Sequence, residues 1–342
     1  MKIIKILLPA ILLILPGCWW WLYDNDYEFE FETIITDYPA NMEGINSTRD
    51  DYNSALPYRF EGRGLYFSSN STTYGDNFDI VYRAIEITFH PKKDNILNVS
   101  YPAANLWPSY EMKVCAFIKT DFNEYGPYTH SDKRGWDYFF YANDEKGDLD
   151  IKFVYNSTTD NLYNENEKFE GPVAAGALNS GSDDAYPTIN IDGSRIYFCS
   201  NRENRQFDIY SATMIQSVLH TYLSTPDTLV VLKETILSGD KNDKCPFIIK
   251  NLLVFTSDRE GGYGGYDLYY SLYVDSKWSA PVNFGEKINT EYNEYRPVTI
   301  PLMSLSDEVM IFSSDRPGGK GGYDLYCVNI GDMIEDPWYM LN

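Results

Sequence analysis

Four carboxylates recur at matching places in a repeated frame: Asp51, Asp184, Asp243 and Glu294. Gathered into a ring they would suit a hard cation such as Ca²⁺, or a basic peptide segment. No other cofactor is expected. Tyr263, Tyr292, Tyr295 and Tyr323 lie near the same segments. Tyrosine supplies a flat apolar face with a polar tip, which suits sugar stacking and protein interfaces. Two carboxyl groups about 5–9.5 Å apart across a cleft would serve glycoside hydrolysis, but acidic residues are too abundant here to select a pair. No GxSxG, HExxH or Walker A pattern occurs. The expectation is therefore a non-catalytic module that binds an envelope protein or peptide through this face. A glycan-binding protein or glycoside hydrolase is the alternative.

Charge and composition narrow the partners. The chain has 342 residues, 28 Lys+Arg against 50 Asp+Glu, and a formal net charge of −22. Such a field repels phosphate backbones, which excludes nucleic acid. An apolar content of 44% with 16% aromatics is too rich for a disordered chain. Three His and five Cys with no CxxC spacing speak against a zinc site. Cys115, Cys199, Cys245 and Cys327 are expected to be buried thiols.

What positions these residues is an internal repeat. Phe312 to Tyr326 reads FSSDRPGGKGGYDLY, and Phe255 to Tyr269 reads FTSDREGGYGGYDLY. Looser copies begin at Phe67, Phe140 and Phe198. The leading positions 67, 140, 198, 255 and 312 are 73, 58, 57 and 57 residues apart. Ahead of most copies runs an Ile-Asn-Ser/Thr segment: Ile288-Asn289-Thr290 leads through Glu294 to Pro297, and Leu178-Asn179-Ser180 through Asp184 to Pro187. Each repeat reads as four strands, shown by Pro297 to Ile300, Glu308 to Ser313, Asp324 to Val328 and, in the preceding copy, Lys277 to Asn283. A weak helical period appears only at Tyr210 to Leu223. Five such repeats predict an all-β chain, a single β-propeller of four-stranded blades over residues 27–342. Six blades would result if the insertion at Ile85 to Arg134 formed one of its own. The last copy lacks a fourth strand, and Tyr27 to Ile35 is expected to supply it and close the ring, which would remove an exposed sheet edge. Strand alternation brings the first-strand carboxylates to one mouth of the central channel. Asp258, Asp267, Asp315 and Asp324, with Arg259 and Arg316, recur in frame and are expected to be scaffold, since a catalytic centre seldom needs several copies.

The repeat resembles the WD40-like repeat of the TolB propeller. It is closest to the copies found in cell-envelope lipoproteins of Bacteroidota. The resemblance covers about 290 residues and is weakest in the second copy. Neither the N-terminal domain of TolB nor a peptidoglycan-binding domain of the OmpA type accompanies it, so peptidoglycan binding is not implied.

The N-terminus sets the compartment. Lys2 and Lys5 precede an apolar stretch from Ile6 to Leu15, too short to span a bilayer. Leu15-Pro16-Gly17-Cys18 resembles the bacterial lipobox, which implies a signal peptide over 1–17, lipidation of Cys18 and a short tether over 18–26. Losing Lys2 and Lys5 with the leader deepens the net charge by two. Anchoring must then rest on acyl chains rather than on attraction to anionic lipid. The expectation is a monomeric outer-membrane lipoprotein facing the periplasm or the cell surface.

Overall fold

The computed structural model describes residues 29–57, 64–90, 96–102, 109–157, 168–215, 217–301 and 308–334. Residues 1–17, Cys18 and the tether to residue 26 lie outside them, as does Tyr27. In chain order the strands begin with β1 (Phe29–Ile35) and the two-residue β2 (Ala40–Asn41). Blade 1 follows with β3 (Asp51–Ala55), β4 (Leu65–Ser69) and β5 (Asp79–Arg83), then a hairpin of β6 (Glu86–His90) and β7 (Ile96–Pro102) and the helix α1 (Tyr110–Ile118). Blade 2 holds β8 (Glu124–Ser131), β9 (Trp136–Asn143), β10 (Asp150–Ser157) and β11 (Glu170–Ala174). Blade 3 holds β12 (Asp184–Ile189), β13 (Arg195–Ser200), β14 (Asp208–Thr213), the short helix α2 (Leu219–Leu223) and β15 (Val231–Lys233). Blade 4 holds β16 (Asp243–Ile249), β17 (Leu252–Ser257), β18 (Asp267–Val274), β19 (Lys277–Trp278) and β20 (Val282–Asn283). Blade 5 holds β21 (Glu294–Pro301), β22 (Glu308–Ser314) and β23 (Asp324–Asn329).

The sheets are antiparallel, and the first strand of each blade touches the first strand of the next. The contacts run from β3 to β8, β12, β16 and β21 and back to β3. This is a β-propeller, and the ring is consistent with five blades. Because β3 meets β8 directly, the insertion places no sixth strand on the axis. Instead β6 and β7 form a peripheral sheet with β1, in the order β1-β7-β6.

That pairing corrects the expected closure. β1 pairs with β7, from Phe31↔Tyr101 to Ile35↔Leu97. The last blade is completed by β2, with Ala40 opposite Cys327 and Asn41 opposite Tyr326. Asn41 donates from its amide to Asp324 at 2.9 Å, as Asn283 on β20 donates to Asp267 at 2.8 Å. The amide that ties down the third-strand Asp selects the short strand, and the insertion hairpin covers the edge of β1.

Strand register also corrects the second copy. The pairs Asp79↔Ser69, Asp150↔Asn143, Asp208↔Ser200, Asp267↔Ser257 and Asp324↔Ser314 are equivalent. Two residues before the second member stand Phe67, Tyr141, Phe198, Phe255 and Phe312. Tyr141 rather than Phe140 is therefore the homologous position, and the last four copies repeat every 57 residues. All five side chains are buried between blades, each contributing about 1.5–3 kcal/mol of apolar burial.

Candidate functional site

Each first strand opens on an acid: Asp51, Glu124, Asp184, Asp243 and Glu294. These five are at most 1% exposed. The expected acidic rim is therefore not what solvent meets, because every one of these carboxylates is buried and takes hydrogen bonds inside its own blade. Asp184 accepts from the Ser180 backbone and hydroxyl at 2.5 and 2.8 Å and from Arg202 at 2.6 Å. Glu294 accepts from Thr290 N–H at 2.8 Å, Ser314 at 3.0 Å and Arg316 at 2.9 Å. Asp243 pairs with Arg259 and accepts from Gly239 N–H at 2.7 Å. Asp51 accepts from Ser69 and from Ser47 N–H, both at 2.5 Å. Glu124 accepts from Thr120 and Asn143. Burial pushes the Asp51 and Asp243 carboxyls upward, and that of Glu124 to about 7. Among the described residues no three His, Cys, Asp or Glu side chains converge as metal ligands. The carboxylates proposed for Ca²⁺ are already saturated by Ser, Thr and Arg donors.

The recurrent loop residues are occupied in the same way. Asp267 accepts the backbone N–H groups of Tyr263 and Gly264 at 2.7 and 3.1 Å, and Asp324 those of Lys320 and Gly321. A Cβ at Gly262 or Gly319 would run into these two carboxylates, so the loops need glycine there for space. Asp258 and Asp315 hold the amides of Asn242 and Asn293 at 2.9 and 2.7 Å. Every blade carries one such Asn–Asp couple at this corner, the others being Asp50–Asn70, Asn123–Asp144 and Asp183–Asn201.

What does face the channel mouth is aromatic. The residue before each third-strand Asp is Phe78, Leu149, Phe207, Tyr266 or Tyr323. Its carbonyl accepts the N–H of the next blade's first-strand acid, as in Glu124 N to Phe78 O and Asp51 N to Tyr323 O, at 2.7 and 2.8 Å. This seam presses the five side chains around the axis. The residue after each acid adds Tyr52, Tyr125 and Tyr295, with Lys244 in blade 4. Tyr52 meets Phe78 at 4.8 Å, Tyr125 at 5.8 Å and Tyr323 at 5.8 Å between ring centroids. Tyr295 meets Tyr266 at 5.6 Å and Tyr323 at 6.5 Å. Lys244 lies over Phe207 at 4.2 Å and Tyr266 at 5.6 Å. These side chains are half-buried and form a cup of rings with hydroxyls between them. Burial keeps the Tyr52 and Tyr295 phenols protonated far above the ordinary range and Tyr266 up to about 12.

Of the tyrosines singled out from the sequence, Tyr295 and Tyr323 join this cup. Tyr263 and Tyr292 stand 49% and 36% exposed on outer loops, outside the ring contacts that build it. Tyr52, Phe78, Tyr125 and Tyr266 were missed. Their signal was available as the aromatic before four of the five repeated Asp and after three of the five first-strand acids. Glu124 was missed because the second copy lacks the Ile-Asn-Ser lead.

No known family profile matches the sequence, and no curated protein does. Solved structures resemble it in architecture. The endo-arabinase of Bacteroides thetaiotaomicron VPI-5482 is 12% identical with a TM-score of 0.48, covering 86% of this chain and 97% of that one. The α-L-arabinofuranosidase of Lactobacillus brevis is 12% identical with a TM-score of 0.44, covering 83% and 90%. A protein assigned as TolB from Agrobacterium tumefaciens is 13% identical with a TM-score of 0.41, covering 82% and 78%. Similarity thus extends to β-propellers of glycoside hydrolases and of the TolB type, all at low identity.

Proposed function

We propose that this chain is a lipid-anchored, five-bladed propeller of the cell envelope that binds a glycan on the aromatic cup without cleaving it. The observation that carries the binding reading is the cup itself: rings from all five blades converge on the axis, with tyrosine hydroxyls between them. Sugar faces stack on such rings while their hydroxyls find partners at the rim. Hydrolysis would need two carboxyl groups flanking the bond. The five acids around this axis are buried in scaffold bonds instead. The outer-membrane anchor rests on the lipobox-like segment ending at Cys18.

A soluble form lacking residues 1–18 should bind a subset of envelope or plant oligosaccharides on a glycan array and release no reducing sugar from them. Tyr323→Ala should weaken that binding about tenfold, or 1.4 kcal/mol, in calorimetry. Reducing-sugar release would replace the reading by a hydrolase. In-cell crosslinking that captures one protein, with no array signal, would replace it by a protein-binding module, for which aromatic surfaces are also suited. Cys18→Ala should abolish fatty-acid labelling, and persistent labelling would overturn the anchor.

A further inference from the structure

Below the cup, the third residue of every first strand adopts a left-handed backbone: Asn53, Gly126, Tyr186, Cys245 and Arg296, with φ between 50° and 60°. Each sits at a register shift in its strand. This conformation is costly for residues with a Cβ and persists where surrounding structure enforces it. The Tyr186, Cys245 and Arg296 side chains meet near the axis. Arg296 of blade 5 reaches the carbonyls of Pro246 in blade 4 and Pro127 in blade 2, at 3.4 and 3.1 Å. Its guanidinium lies 5.2 Å from the Tyr186 ring of blade 3. It therefore lies across the channel, and Gly126 leaves the room that the Tyr186 ring fills.

Arg296 is 0% exposed, yet among the described residues it has no carboxylate partner, and its Nε has no acceptor. Asn53, on the adjoining first strand β3, is also 0% exposed, and neither atom of its side-chain amide has a partner. Elsewhere this protein treats buried charge differently: Arg202, Arg259 and Arg316 each reach a carboxylate. A buried cation without a counter-charge is strongly disfavoured, and two carbonyl dipoles compensate only part of it. Cys245 does not supply the charge, since burial pushes its thiol up to about 11.

We propose that the axis holds a monovalent anion of halide size, chloride in the cell, bound between Arg296 Nε and Asn53 Nδ2. One free guanidinium N–H, at Nε, and one amide suit a single spherical anion; a tetrahedral oxyanion would call for more donors than these. The ion would join blades 1 and 5, the two blades that close the ring.

The test uses bromide as the probe. Crystals of the purified protein grown in sodium bromide should show an anomalous peak within hydrogen-bond reach of Arg296 Nε and Asn53 Nδ2. The melting temperature should rise with chloride or bromide at constant ionic strength held by gluconate. The rise should be about 2 °C per tenfold halide above the dissociation constant. Asn53→Ser should shift that dependence to at least threefold higher halide, and Arg296→Met should abolish it. Should Arg296→Met fail to fold, the bromide peak and the Asn53→Ser titration decide. A water at the site in bromide crystals, with halide and gluconate giving the same melting curve, would overturn the proposal.

Discussion

Blades 3 to 5 and blades 1 to 2 solve the same problem, a buried acid at the start of the first strand, in two ways. In blades 3 to 5 an arginine folds back from the end of the second strand. Arg202, Arg259 and Arg316 each donate through Nε to a serine at 2.9 to 3.0 Å and through Nη2 to a carbonyl and to the acid. Each guanidinium also lies about 5 Å from the rings of a second-strand Phe and a third-strand Tyr, as Arg316 does over Phe312 and Tyr326. In blade 1 the arginine position is Ser71, which bonds Ser69 at 2.7 Å. In blade 2 it is Glu145, and the ring position is Lys152, so that these two pair with each other at 2.6 Å. Asp51 and Glu124 are left to hydroxyl and amide donors, and Glu124 Oε2 has none. The difference teaches that the carboxylate, not the salt bridge, is the constant. Its backbone and hydroxyl bonds shape the turn, and arginine neutralises it where one is present.

Breaking the clamp gives the largest expected effect. Arg316→Ala leaves Glu294 buried and unpaired and should lower stability by about 3–5 kcal/mol in urea melts. A loss under about 1 kcal/mol would show that the hydroxyl bonds suffice in blade 5 as in blade 1. Amide substitution should then have opposite signs in the two halves. Asp184→Asn strands Arg202 and should destabilise by about 2–4 kcal/mol. Glu124→Gln should stabilise at pH 8. Burial lifts the Glu124 carboxyl from its ordinary 4.5 to about 7, so the folded state holds its proton more tightly than the unfolded one. The stability this group contributes is present below about pH 4.5 and lost as pH rises through about 7. The variant should exceed the wild type by up to about 3 kcal/mol at pH 8 and match it near pH 4. Melting curves across that range that stay parallel would refute the assignment. The smallest effect is a graft. Ser71→Arg offers Asp51 the missing guanidinium and should add about 1 kcal/mol, with the Asp51 carboxyl titrating lower by NMR.

The repeat made much of this legible. Matching Phe positions, Gly-Gly turns and the Ile-Asn-Ser lead were enough to read an all-β propeller. Two readings failed for local reasons. The second copy hid its frame because Tyr141, Asn143 and Glu145 replace the Phe, Ser and Arg of the motif. The closing strand was misplaced because alternation in Tyr27 to Ile35 shows that a strand forms, not which edge it meets.

Spacing and residue type thus carried the architecture, since a 57-residue period and two-residue alternation are properties of the chain alone. Whether a carboxylate faces water or an arginine is not such a property. Asp184 and Arg202 are 18 residues apart, and only the fold of one strand over the next brings the guanidinium onto the acid and both beneath the loop. The cup and the axial Arg296 depend on more distant meetings. Tyr52 and Tyr323 come from opposite ends of the sequence, and Arg296 touches a carbonyl 169 residues away. Such contacts arise only when the ring closes, because closure is what gives the five first strands a common axis.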